Sequence, residues 1–114
     1  MTKLPKKVYI ASDKAIPVVQ KKLEYVHALG YYDQIEEQIA IEIEQEELGK
    51  WIVLIHEVLH ALDAQNVANG LYKRKLTEDQ VTYLASGLFA SFALSGGLPK
   101  FNKRTIINFF KEGT

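Results

Sequence analysis

Twenty consecutive residues, Glu46 to Gln65, contain no proline and are rich in Leu, Ile, Val and Ala, and this run constrains the fold more than any other stretch of the chain. It is too long for a strand and reads as a helix. It is apolar nearly all round, which places it at the centre of the protein with the rest packed against it. Yet residues 56–60 within it read H-E-V-L-H. Two imidazoles and a carboxylate therefore sit in the segment most like a core. Either they bind something that compensates their burial, or that part of the run faces water.

The surrounding sequence limits the answers. A chain of 114 residues is expected to form one domain, residues 1–114. Its formal net charge is zero, so no basic field points to nucleic acid or to an anionic membrane surface. Cysteine is absent. That excludes disulfides and thiolate ligands, and any metal here must use histidine and carboxylate. The start, MTKLPKKVYIA, has no apolar segment of signal-peptide length. The longest apolar stretch is interrupted by His56, Glu57 and His60, so no membrane span is expected. A cytoplasmic location is the default expectation.

Ahead of the helix lie strands. Lys7 to Ala11 and Ala15 to Lys21 are β-branched segments around the polar Ser12-Asp13-Lys14 turn, with Pro17 pointing to an edge position or a bulge. Tyr25 to Asp33 and Gln38 to Glu44 read as a second hairpin. In the latter strand Ile39, Ile41 and Ile43 alternate with Gln38, Ala40, Glu42 and Glu44, which predicts one buried and one wet face. Beyond the helix, Asn66 to Leu76 reads as a loop with Asn69-Gly70 turn chemistry and a solvated Lys73-Arg74-Lys75 run. Thr77-Glu78-Asp79-Gln80 fits a capping box that opens a second helix, running to about Ser95 and stopped by Gly96-Gly97 and Pro99. The segment Lys103 to Lys111 fits a short helix or a strand equally well. The fold class is therefore α+β: a small antiparallel twisted sheet of two hairpins followed by two packed helices, the first carrying H-E-x-x-H.

On a helical wheel His60 lies about 40° from His56, and Asp63 about 20° to the other side. The three form a narrow polar stripe along a buried helix. Two histidines at i and i+4 can share one Zn²⁺ with bonds of about 2 Å, and Glu57 sits beside them off the ligand axis, where it can hold a water and take its proton. A catalytic zinc takes three protein ligands and keeps one position open. Glu78, in the first turn of the second helix, is the better candidate for the third, because a carboxylate is favoured at a helix N-terminus. Asp79 is the fallback. His27 lies in a predicted strand and reads as an ordinary strand residue. Thr82, one turn after Glu78, and Asp63 are candidates to support the ligands. Tyr72 and Tyr83 could donate to an oxyanion but are more simply packing residues.

These features carry a resemblance. W-x-x-L-x-H-E-V-L-H-A-L is present as Trp51, Leu54 and His56 to Leu62, an isoleucine-alternating strand precedes it, and Leu76 to Leu88 follow as L-T-E-D-Q-V-T-Y-L-A-S-G-L. From Lys7 to Phe89 the chain resembles the small gluzincin-type metallopeptidases of phage and mobile-element genomes, sometimes called minimal metallopeptidases and distantly similar to ImmA/IrrE-type proteins. The resemblance implies a small twisted sheet packed on the H-E-x-x-H helix and a second helix, with one zinc per chain between them. It maps the third ligand onto Glu78, although Val81 stands where the pattern has a smaller residue. It implies that Gln38 to Glu44 borders the cleft, so that Ala40, Ile41 and Glu42 would meet an extended peptide by strand addition. The segment from Pro99 to Thr114 is outside the match.

Two function classes follow. The first is a zinc metallopeptidase in a bacterial or phage-infected cell, with His56, His60 and Glu78 on the metal and Glu57 as base. The chain is short and has little room to line a large cleft, so a narrow protein or peptide substrate is expected. The second is a zinc-bearing interaction protein that binds a phage or host regulator without proteolysis. A purely structural zinc is a weaker option, since such sites tend to be closed and cysteine-rich.

Overall fold

The computed structural model describes residues 3–11, 14–23, 29–68 and 75–94. Four strands precede two helices: β1 (Lys7–Ala11), β2 (Lys14–Lys21), β3 (Gly30–Asp33), β4 (Gln38–Glu42), α1 (Glu47–Ala68) and α2 (Glu78–Leu94). The expected order and class are therefore present. Residues 24–28, 69–74 and 95–114 carry the start of the second predicted hairpin, most of the predicted loop and the C-terminal segment, and lie outside the described residues.

The strands form one sheet in the order β1-β2-β4-β3. β1 with β2, and β3 with β4, pair antiparallel as the two expected hairpins. Between the hairpins β2 and β4 run parallel, with Val18 opposite Ile39 and Gln20 opposite Ile41. The sheet is thus mixed rather than all antiparallel. β3 lies at the edge, and β4, which follows it in the chain, pairs with β3 on one side and with β2 on the other. Pro17 fits this arrangement. Val18 N donates to Lys6 O at 2.8 Å, toward the β1 side, so the ring nitrogen of Pro17 faces the other side, just before pairing with β4 begins. The irregularity of this hairpin lies in β1, between Tyr9 and Ala11.

The predicted wet face of β4 is corrected by this order. Ile39, Ala40 and Ile41 are all 0% exposed. Ala40 lies in register between Val19 and Tyr31, and its small side chain is covered by these larger neighbours. The strand also ends earlier than predicted. The Glu42 carboxylate accepts from Leu23 N and Glu44 N at 2.8 Å each, which bends the chain before α1, and Ile43 is left exposed.

The core joins Ile10, Ile16, Val18, Ile39 and Ile41 of the sheet to Leu54 and Ala61 of α1. α2 packs on α1 through Val81, Ala85 and Phe89, spaced four apart on one face and almost fully buried. α1 lies between the sheet and α2, which puts its polar stripe at the junction of three elements. Among the described residues, no helix is long and apolar enough to cross a membrane.

Candidate metal centre

Two helices supply the donors. His56 and His60 stand one turn apart on α1, so both imidazoles leave the same side; their rings lie 4.8 Å apart at 61°. α2 begins at Glu78 because the predicted capping box forms. Gln80 N donates to Thr77 Oγ1 at 3.1 Å, and Thr77 N donates to Gln80 Oε1 at 2.9 Å. The helix start is fixed in this way, and the Glu78 carboxylate reaches the histidines from the first turn, where the helix dipole favours negative charge.

Glu78 Oε1 lies 2.6 Å from His56 Nε2, and Oε2 lies 3.0 Å from His60 Nε2. The two Nε2 atoms are 3.1 Å apart. One ligand atom from each residue falls within 4.8 Å of the others, and the group can hold a metal ion. The donor chemistry fits a small divalent cation: two imidazole nitrogens and a carboxylate converge on one point. A tetrahedral ion with bonds of about 2 Å needs ligand atoms separated by about 3.3 Å, close to these spacings.

Glu57 is 6% exposed, and its Oε2 lies 4.0 Å from His56 Nε2, beside the donor triangle rather than in it. Burial pushes its carboxyl up to about 7; the negative charge of Glu78 adds to the rise, and a hydrogen bond from the main-chain N–H of Tyr32 opposes it. A carboxyl held near neutrality is matched to proton transfer at neutral pH. A cavity of about 470 Å³ opens over these groups, walled by Gly30, Tyr31 and Tyr32 of β3 on one side and by Leu76 and Glu78 on the other.

Asp63 is buried in the same stripe and lines the cavity, but its Oδ2 accepts from Leu76 N at 3.1 Å. It ties α1 to the chain leading into α2. Thr82 is exposed and does not line the cavity. Asp79, the fallback ligand, and Tyr83, 81% exposed, are not among the residues lining the donor cavity; they line a second hollow with Leu76, Gln80 and Leu84. His27, Tyr72, Lys73 and Arg74 lie outside the described residues. Lys75 is exposed at the cavity wall.

The strand expected to border the cleft is corrected. β4 has β2 on one side and β3 on the other, so it offers no free edge for strand addition, and Ala40 and Ile41 are buried. Glu42 is occupied with Leu23 and Glu44. Among the described strands, β3 is the edge beside the donors. The signal was Gly30, since a glycine inside a strand marks close approach of another group. A Cβ at this position would collide with Val53 Cγ1 of α1 and lie 3.0 Å from Ala40 O.

Compared with protein-family models, curated proteins and solved structures, the chain matches none.

Proposed function

We propose that this protein is a zinc metallopeptidase of the gluzincin type that His56, His60 and Glu78 equip with its metal, acting on a narrow protein or peptide substrate. One observation carries the reading: three metal-capable donors converge beside a buried carboxyl, Glu57, that does not belong to the donor triangle. A structural metal has no use for that fourth group.

Bound zinc would supply Lewis acidity, polarising the substrate carbonyl and making water a stronger acid. Glu57 holds the attacking water by its carboxylate and accepts its proton as the oxygen bonds to the carbonyl carbon. It returns that proton to the nitrogen as the C–N bond breaks, so it is base and then acid. The outer edge of β3 runs along the cavity, and an extended substrate can align there through main-chain hydrogen bonds. Zinc rather than another divalent ion is the choice of an open His/His/Glu set in an H-E-x-x-H helix.

The test is metal content per chain on protein purified without a metal-binding tag. One zinc in wild type, lost in His60→Ala and in Glu78→Ala, is expected. Wild type that takes up no metal when zinc is added back overturns the reading.

A second reading, a metal-bearing interaction protein, draws on the exposed Leu84, Leu88 and Phe92, which follow one another at four-residue spacing along α2 and form an apolar stripe at the surface. Glu57→Gln separates the two. It leaves the metal donors in place, and it abolishes function only if the function is hydrolysis.

A further inference from the structure

One cation in the cleft wall has no part in the donor site. Lys75 lines the cavity, is exposed, and makes no ion pair among the described residues. By contrast Lys14 holds Glu37, Lys22 holds Glu44 and Lys50 holds Glu47. Histidines aside, Lys75 is the single basic residue among the described residues that line the cavity. Its place along the cleft follows from contacts between β3 and α1. Gly30 faces Val53, the Tyr32 main-chain N–H reaches Glu57, and Gln34, just past the strand, lines the cavity with Asp63 and Ala64. β3 and α1 therefore run the same way along the cleft, and this end of it lies beyond His60. Asp63 accepts from Leu76 N, which holds Lys75, the preceding residue, at the same end.

We propose that this end of the cleft recognises a carboxylate of the substrate, Lys75 supplying the charge and the Gln34 amide a hydrogen-bond donor. The inference rests on the metallopeptidase reading and specifies the substrate it takes: a peptide with an acidic side chain, or its own terminal carboxylate, about two residues from the scissile bond. The spacing comes from α1. Asp63 lies three residues beyond His60 and seven beyond His56, so it stands about 7 Å along the axis from an ion shared by the two histidines. An extended chain covers that distance in about two residues. The acids of the cavity do not neutralise Lys75. Glu78 belongs to the donor triangle, Glu57 stands beside it, and Asp63 is buried and accepts from Leu76 N. The ammonium thus faces water until an anion arrives, and a neutral group in its place gains nothing from it.

Because Lys75 is exposed, its pairing with a ligand is worth about fivefold in affinity, far below the factor for a buried pair. The experiment uses the full chain loaded with zinc and titrated calorimetrically at low salt with hydroxamates, paired so that each carboxylate has its amide as control. Acetyl-glutamyl-glycine and acetyl-glutaminyl-glycine hydroxamates place an acidic or neutral side chain on the acyl side of the metal. Succinyl hydroxamates extended by glutamic acid amide or glutamine amide place it on the amine side. Succinyl hydroxamates extended by glycine or glycinamide present a terminal carboxylate or its amide. In at least one pair the acid is expected to bind about fivefold tighter, and that pair identifies the carboxylate as side-chain or terminal. Zinc attracts anions by itself, so the ratio must also depend on Lys75. Lys75→Arg is expected to keep it, Lys75→Gln to erase it and Lys75→Glu to invert it, with wild-type zinc content in each variant. Equal affinity within every pair overturns the inference and leaves the metallopeptidase reading standing, as does a ratio that survives Lys75→Glu. Binding by none of the six compounds overturns the metallopeptidase reading and this inference with it.

Discussion

Asp63, deep in α1, accepts a hydrogen bond from the main-chain N–H of Leu76 at 3.1 Å, and so ties the helix that carries both histidines to the start of the helix that carries Glu78. Glu78 follows Leu76 by two residues, with the capping residue Thr77 between them. The bond therefore bears on where the third donor stands. Asp63→Ala leaves a partly buried N–H without its acceptor. It is expected to cost about 1–3 kcal/mol of stability in denaturant titrations and to weaken zinc binding as well. Unchanged zinc affinity in a folded Asp63→Ala protein would confine Asp63 to a structural role.

The donor triangle predicts that metal and stability are linked. An ion that binds only the folded chain stabilises it by about 2.7 kcal/mol at a free concentration a hundred times its dissociation constant. Thermal melts of wild type are expected to fall on chelation and recover on adding zinc. Glu78→Ala and His60→Ala are expected to melt at the same temperature with or without chelator. A variant that keeps the full zinc-dependent shift would remove that residue from the ligand set.

How much of this could be read beforehand depends on the range of the interactions involved. The Thr77-to-Gln80 capping box was legible because both of its hydrogen bonds close within four residues. The placement of His56 and His60 on one side of a helix was legible for the same reason. Glu78 was legible as their companion because the capping box put it in the first turn of the second helix, where a carboxylate is favoured. The order of strands was not legible. Local alternation in Gln38 to Glu44 indicates a strand, yet whether that strand is central or at an edge is decided by long-range pairing. Placing β4 between β2 and β3 buried Ala40 and moved the cleft border to β3. Tyr83, read as a packing residue that could donate to an oxyanion, is 81% exposed and lines a hollow with Leu76, Asp79, Gln80 and Leu84. Asp63 was read as a candidate to support a ligand because the stripe aligns it with His56 and His60; its hydrogen bond to Leu76 joins residues 13 apart, a pairing that no helical wheel represents.

Gly30 is where β3 meets α1. A methyl group at this position would collide with Val53 Cγ1 and crowd Ala40 O at 3.0 Å. Gly30→Ala is expected to destabilise the protein by about 1–3 kcal/mol through overpacking and to lift β3 from the helix. Removing the obstacle should restore part of the loss. In chemical denaturation, Gly30→Ala combined with Val53→Ala is expected to cost less than the sum of the two single changes, with a coupling of about 0.5–3 kcal/mol. Strict additivity would mean that β3 yields without pressing on Val53.

Glu57 gives a pH dependence with a definite sign. In the metal-free chain burial holds its carboxyl at about 7, against an ordinary value of 4.5, and the charge on Glu78 contributes in the same direction. The folded chain therefore holds this proton more tightly than the unfolded chain. Below the ordinary value both states are protonated, and Glu57 has no effect on stability. As pH rises from there to about 7, the unfolded state ionises first and the protein is destabilised; above that range the loss is constant. A shift of this size corresponds to a loss of about 3 kcal/mol at most. Glu57→Gln, which has no proton to lose, escapes it. With chelator present, the stability of Glu57→Gln minus that of wild type is expected to rise across this window and then level off, the histidines cancelling because both proteins contain them. A difference that stays flat with pH would mean that the Glu57 carboxyl is solvated, and with it would go the argument that a buried acid stands ready beside the metal donors.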